Sequence, residues 1–98
     1  MSETDRRHLT SAVFVRRTAS PEHLRQAACW EVWNCAEPTY AHRYEQGVTL
    51  CVEQGAARVT FATGEVVDLQ VGDLLTIHPG AEGVWTILQP IRNRYRYA

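Results

Sequence analysis

Hydrophobic and polar residues alternate in short runs along the second half of the chain, and glycines separate most of these runs. The β-prone runs are Val48–Val52, Ala57–Phe61, Val66–Leu69, Leu74–His78, Val84–Leu88 and Ile91–Tyr97. The separating glycines are Gly47, Gly55, Gly64, Gly72 and Gly80, which lie eight or nine residues apart. Because glycine admits the positive φ of tight turns, this spacing predicts antiparallel strands. The pattern is typical of an all-β sandwich or barrel.

The first third of the chain has a different pattern. Residues 1–12 are mostly polar, and we expect a flexible leader there, followed by one domain over residues 13–98. A short strand is predicted at Val13–Arg16. The segment Ser20–Glu22 combines a serine N-cap with a proline and an acid in the first helical turn. It predicts one short N-terminal helix that ends near Ala28.

Length, charge and cysteine content narrow the class of protein. The 98 residues suffice for a single domain. The net charge of −1 argues against a general nucleic-acid binder. No apolar run is long enough for a signal peptide or a membrane span, so we expect a cytoplasmic protein without a membrane partner. The three cysteines contain no CxxC pair and predict neither a disulfide framework nor a zinc site.

The C-terminal segment Arg92–Tyr97 alternates basic and aromatic residues. Such alternation occurs in proteins that bind single-stranded nucleic acid, where aromatic rings stack on bases. It is equally expected of a half-buried or edge strand with arginines facing solvent. Because the chain shows no wider basic surface, we favour the strand and expect no nucleic-acid partner.

Several motifs follow one another in the order seen in a known family. Val71–Gly80 contains a Gly-Asp turn, an apolar strand and a Pro-Gly turn. It is accompanied by Trp30–Trp33, Gln54–Gly55, Trp85 and the ending Pro90–Tyr95. With these motifs nearly the whole chain resembles the small cupins of the ureidoglycine aminohydrolase-type family. The resemblance implies an RmlC-like jelly-roll barrel with a pocket open at one end, and a homodimer.

The metal ligands that the resemblance implies are largely missing. A metal-binding cupin uses a His-x-His pair, a Glu a few residues later and a third His after the Pro-Gly turn. The resemblance places His42 and Tyr44 at the pair, Val48 at the Glu and Gly83–Trp85 near the last His. Valine and glycine side chains offer no ligand atom. We therefore expect no metal or other cofactor; an atypical transition-metal site of His42, Tyr44 and His78 is the alternative.

The predicted pocket is mainly apolar and aromatic. Alternation places Tyr40, His42 and Tyr44 on one face of a strand, because side chains two residues apart point the same way. The predicted lining is Tyr40, His42, Tyr44, Leu50, Ile77, His78 and Trp85, with Trp33 over one end. Such a lining suits a small organic molecule with few polar atoms. The leading prediction is therefore a small-molecule-binding cupin without a complete metal site.

Two alternatives stay open. His42 and Tyr44 are candidate catalytic residues, since imidazole titrates near neutral pH and can exchange protons with a substrate. With or without His78, they would serve an isomerase, a lyase or a hydrolase. The other alternative is an accessory domain whose barrel is filled by its own side chains. The sequence leaves open whether the protein is an enzyme.

Overall fold

The structure, a computed structural model, describes residues 5–97. Its strands are β1 (Leu9–Thr10), β2 (Phe14–Thr18), β3 (Glu31–Cys35), β4 (Thr39–Arg43), β5 (Val48–Phe61), β6 (Val66–Gln70), β7 (Asp73–Ile77) and β8 (Glu82–Tyr97), and its helix is α1 (Pro21–Ala27). All the strand pairs are antiparallel. The predicted all-β fold with one short helix is confirmed.

Two long strands, β5 and β8, run through both halves of the barrel. The first half of β5 and the second half of β8 lie at the centre of a sheet with the order β1-β2-β7-β5-β8-β3. Their other halves pair with each other and with the strands on either side, β6 next to β5 and β4 next to β8. This arrangement is a jelly roll, in which two sheets enclose one core.

Two predictions are wrong: the turn at Gly55, taken from the glycine spacing, and the break at Pro90 between two final strands. The structure has continuous strands that bend at these two residues. Gly55 has φ +83°, and the pairing register of β5 and β8 shifts around it. A Cβ atom at Gly55 would lie 2.1 Å from the carbonyl oxygen of Pro90. The glycine therefore lets two backbones approach each other at a bulge, which bends the strands from one sheet into the other.

The other predicted turns fall as expected. Gly64, Gly72 and Gly80 follow β5, β6 and β7, and each has a φ of 90–92°. The predicted strand Val13–Arg16 corresponds to β2. The strands β3 and β4 fill the stretch between the helix and the first glycine. They bring the aromatic residues of that stretch into the barrel.

The helix begins as the sequence predicts. Ser20 is the N-cap, and its hydroxyl accepts a hydrogen bond from the backbone N–H of His23 at 3.1 Å. The Nδ1 atom of His23 accepts one from the Ser20 N–H in return, which closes a capping box. Ala27 ends the helix and packs with Cys51 and Leu74 in a small cluster outside the main core. No helix within residues 5–97 is long and apolar enough to cross a membrane.

Part of the segment that we expected to be a leader contacts the barrel. Residues 1–4 lie outside the described residues, whereas Leu9–Thr10 pairs with β2. Arg7 forms an ion pair with the buried carboxylate of Asp73, with 2.6 Å between Nη2 and Oδ2. These contacts join residues 7–10 to the larger sheet. The boundary of the domain at residue 13 stays a prediction.

The main core lies between the two sheets. Its largest buried members include Phe14, Leu75, Ile77, Trp85 and Ile91. Val48, Leu50 and Val52 occupy alternate positions of β5 and are buried in this core. Towards one end of the barrel the core gives way to partly buried aromatic residues, and the candidate site lies there.

Candidate functional site

A cavity of about 160 Å³ lies within the barrel and opens to solvent. Residues from β3, β4, β5 and β8, together with Tyr44 just after β4, form its wall. The lining residues are Trp33, Tyr40, His42, Tyr44, Val48, Leu50, Trp85, Asn93, Tyr95 and Tyr97. Five of the seven residues predicted to line the pocket are therefore brought together here: Tyr40, His42, Tyr44, Leu50 and Trp85.

Aromatic rings contact one another along the cavity wall. Trp33 lies against Tyr40 and Trp85, with ring centroids 5.2 and 5.4 Å apart. The rings of Tyr40 and His42 are nearly parallel, at 14° and 5.8 Å. Offset and edge contacts of this kind are favourable beyond the area they bury. They hold the wall in shape and present ring faces and edges to the interior.

His42 pairs with a different tyrosine from the one the sequence suggested. Its Nδ1 atom lies 3.2 Å from the hydroxyl of Tyr40, which is within hydrogen-bond distance. Its ring meets Tyr44 edge-on, with centroids 4.5 Å apart. The alternation of β4 explains both contacts, since Tyr40, His42 and Tyr44 follow one another on one face.

The hydroxyl of Tyr44 is held inside the wall. Trp85 donates its Nε1–H to this oxygen at 2.9 Å. Backbone hydrogen bonds on both sides fix the residue: its N–H donates to Ala81, and its carbonyl accepts from Gly80. Burial raises the pKa of Tyr44 to about 12. Near neutral pH the phenol therefore stays protonated, so it can donate a proton or a hydrogen bond but cannot act as a phenolate.

The donor set of the cavity does not fit a cupin metal site. His42 is the one imidazole in the lining, and Tyr44 is a neutral phenol bonded to Trp85. Val48, at the position of the glutamate ligand, is buried hydrocarbon. Within residues 5–97 no three His, Cys, Asp or Glu side chains come close enough to share an ion. One imidazole does not make a stable site for a transition metal.

Two of the predicted pocket residues lie elsewhere. Ile77 is fully buried in the core and does not line the cavity. His78 lies in a separate surface depression with Val13 and Gly80. His78 directly follows the inward-facing Ile77 at the end of β7, so alternation directs its side chain to the opposite face. His42 and His78 therefore do not converge on one site.

Three lining residues come from β8 and were missing from the predicted pocket. Asn93, Tyr95 and Tyr97 occupy alternate positions, so they share the inward face while the intervening arginines point outward. The alternation of Arg92–Tyr97 was the signal that could have identified them. It predicted arginines facing solvent, and the residues between them share the opposite, inward face.

Asn93 is the most unusual residue of the wall. It is 1% exposed, and neither its Oδ1 nor its Nδ2 atom has a hydrogen-bond partner among the described residues. Its backbone lies in the centre of the larger sheet, paired with Val52 on one side and Trp33 on the other. Most buried polar groups in proteins are paired. The amide of Asn93 thus lies in the cavity wall with its hydrogen-bonding capacity unused by the described residues.

Comparison with known proteins places the barrel in a family. The model of the EutQ-like cupin domain matches residues 23–95. The chain belongs to the EutQ-like cupin family. No curated protein matches the sequence. The resemblance to cupins is thereby confirmed, whereas the ureidoglycine aminohydrolase-type family stays a prediction.

Solved structures agree with this assignment. A DUF861 family protein from Thermotoga maritima is 25% identical, with a TM-score of 0.80, and the match covers 85% of this chain and 97% of that one. The EutQ protein of Clostridium difficile is 17% identical, with a TM-score of 0.62 over 93% of this chain and 75% of its own. A putative ethanolamine utilization protein Q from Salmonella typhimurium is 15% identical, with a TM-score of 0.57 over 88% and 58%. The two EutQ proteins share the fold with this chain.

Proposed function

We propose that this cupin binds a small organic molecule inside its barrel and does so without a metal ion. The observation that carries the proposal is the cavity of about 160 Å³ with its wall of aromatic rings. An apolar cavity of about 150 Å³ holds one benzene molecule, whereas drug-sized ligands need roughly 300 Å³ or more. The ligand is therefore the size of a single ring or a comparably short chain.

In this proposal the protein lacks the metal ligands on which the ureidoglycine aminohydrolases depend. Val48 stands where the glutamate ligand is expected, and His42 has no second imidazole beside it. The ring of His42 contacts the phenol rings of Tyr40 and Tyr44. These groups suit hydrogen bonding to a neutral organic ligand, so we do not expect that enzymatic activity here.

Acid/base catalysis by His42 is the second candidate function. The contact of 3.2 Å between its Nδ1 atom and the Tyr40 hydroxyl favours it, because the contact orients the imidazole in the cavity wall. Tyr44 would serve only as a proton or hydrogen-bond donor, given its raised pKa. Once a turnover reaction is found, His42→Ala should abolish it while leaving the fold intact. An unchanged rate in His42→Ala would exclude this role.

The three tryptophans allow a direct test of ligand binding. Trp33 and Trp85 line the cavity, whereas Trp30 lies in the cluster beside the helix, under the guanidinium of Arg96. In NMR titrations with single-ring compounds such as phenol and pyridine, the indole N–H signals of Trp33 and Trp85 should shift. The signal of Trp30 serves as an internal control and should stay in place. Equal shifts at all three indoles, or none, would contradict binding in the cavity.

A pair of matched variants tests whether phenol binds inside the barrel. Leu50→Phe adds a ring within the cavity and should weaken phenol binding at least tenfold, because it fills the space the ligand needs. Val66→Phe adds the same ring at an exposed position of β6 and should leave binding unchanged. Equal binding by all three proteins would place the ligand elsewhere.

The metal-free part of the proposal has its own test. Protein purified without an affinity tag should contain far less than one transition-metal ion per chain by elemental analysis. A stoichiometric metal that is lost in His42→Ala would overturn this part. We also propose a cytoplasmic homodimer, in line with the resemblance to small cupins, and light scattering at several concentrations would test the dimer.

A further inference from the structure

The size and the aromatic wall of the cavity do not indicate which polar groups its ligand carries. The unpaired amide of Asn93 does. Asp73 and Asn93 are the two buried polar residues within residues 5–97. The carboxylate of Asp73 accepts three hydrogen bonds, from two nitrogens of Arg7 and from the backbone of Gln70. Both polar atoms of the Asn93 side chain lack a partner in the same part of the chain. A buried amide without partners is rare, and here it lies in the wall of a cavity.

The chemistry of the amide defines what would pair with it. A carboxamide presents one acceptor oxygen and two N–H donors side by side in one plane. Exchanging the positions of oxygen and nitrogen still leaves an acceptor beside a donor, so either orientation of the amide can form the same pair of hydrogen bonds. Its complement is a planar group in which an N–H donor lies next to an acceptor on the same edge. The cis-amide of a lactam and a primary carboxamide both have this form.

The absence of charged side chains from the lining narrows the class of ligand further. The lining contains no Asp, Glu, Lys or Arg side chain. An ionised carboxylate or ammonium group would lose its hydration without gaining an opposite charge, which is strongly unfavourable. A neutral amide loses less on leaving water and regains hydrogen bonds at Asn93. The aromatic wall adds stacking surface for a flat ring.

We propose that Asn93 determines specificity, and that the cavity selects a neutral, planar, single-ring molecule carrying a cis-amide or primary carboxamide edge. This inference rests on the proposed binding function and adds the chemical class of the ligand. The amide of Asn93 accepts from the ligand N–H and donates to the ligand carbonyl, in a cyclic pair of two hydrogen bonds. The aromatic residues hold the ring, and Asn93 distinguishes its edges.

Two isomers test the pairing in the wild-type protein. In 2-pyridone the N–H and the carbonyl are adjacent, whereas in 4-pyridone they lie at opposite ends of a ring with the same atoms. Isothermal titration calorimetry should show 2-pyridone binding about tenfold or more tighter, the amount that two neutral hydrogen bonds contribute. N-methyl-2-pyridone, which lacks the donor, should bind no better than 4-pyridone. Equal affinities for the two isomers would overturn the inference and indicate that water pairs with Asn93.

A pair of variants tests whether the preference for 2-pyridone over 4-pyridone depends on Asn93. Asn93→Leu keeps a similar volume without donor or acceptor and should bind the two isomers within about twofold of each other. Asn34→Leu makes the same change at an exposed position of β3 and should keep the wild-type preference. A preference that persists in Asn93→Leu would refute the role of this residue. If that variant does not fold, the isomer comparison in the wild type still decides.

The outcomes also separate this inference from the proposed function. If phenol and both pyridones shift the Trp33 and Trp85 signals with equal affinity, the cavity binds ligands but Asn93 does not select them. If none of these compounds shifts either signal, the binding function itself fails. Preference for 2-pyridone together with those shifts supports both.

Discussion

The ion pair between Arg7 and Asp73 offers a quantitative test of how the N-terminal segment contributes to the fold. The side chain of Asp73 is 2% exposed, and that of Arg7 is 29% exposed. Two of the three hydrogen bonds to the carboxylate come from Arg7, and the third from the Gln70 N–H. Arg7→Ala therefore leaves a buried carboxylate with one donor.

The expected cost follows from these contacts. Removing one partner of a buried ion pair typically costs about 3–5 kcal/mol, because the remaining charge is buried and uncompensated. Arg7 is partly exposed, so water can replace some of its contacts, and we expect about 3 kcal/mol. A domain of this size loses about 4–8 °C in Tm per kcal/mol, so Tm should fall by roughly 12–24 °C. That loss is a large share of the 5–15 kcal/mol typical of folded domains.

Urea unfolding followed by tryptophan fluorescence measures the effect. Arg17→Ala is the matched control, since Arg17 lies exposed in β2 and makes no side-chain hydrogen bond among residues 5–97; it should change stability by less than about 0.5 kcal/mol. Adding Asp73→Asn to Arg7→Ala should recover part of the loss, because it removes the unpaired charge. If Arg7→Ala costs no more than the control, the ion pair between Arg7 and Asp73 does not stabilise the barrel.

Three further predictions concern the pKa of Tyr44, the bend and the thiols. Tyr44 keeps its proton up to about pH 12, whereas the unfolded chain loses it near pH 10, so stability should fall by about 2–3 kcal/mol between these values, and Tyr44→Phe should abolish that loss in urea titrations. Gly55→Ala should destabilise by at least about 2 kcal/mol, whereas Gly64→Ala, which meets open space, should cost about 1 kcal/mol in the same assay. Burial raises the pKa of the Cys51 thiol, so a thiol reagent should label exposed Cys29 in the folded protein and Cys51 only after unfolding.

Sequence patterns predicted the barrel well where one face of a strand is fully buried. β5, β6 and β7 alternate buried and exposed residues or are buried throughout, and glycines mark their ends. The hydrophobic alternation that predicts a strand is weaker in β3 and β4. Their inward residues, such as Trp33, Tyr40 and His42, are only partly buried because they face the cavity. A strand that lines a site carries polar and aromatic residues inward, which weakens the hydrophobic period that reveals strands.

The bend at Gly55 shows a second limit of the sequence pattern. A glycine between two apolar runs predicts a turn when only neighbouring residues are considered. Here the glycine is required by Pro90, a residue 35 positions further along the chain, whose carbonyl oxygen lies where a Cβ atom would be. Distant pairing therefore decided between a turn and a bulge, and no local pattern contains that information.

The two buried polar residues show how the barrel combines stability with an accessible site. Asp73 is paired within the chain, and the pairing joins the N-terminal segment to the sheet. Asn93 has no partner in the described residues, and an unpaired buried group costs about 1–3 kcal/mol. A ligand that pairs with the amide would remove this cost as part of its binding free energy, and at a concentration 100 times its Kd it would stabilise the fold by about 2.7 kcal/mol in total. If the proposed ligand binds, the occupied barrel is therefore more stable than the empty one, and part of the difference arises at Asn93.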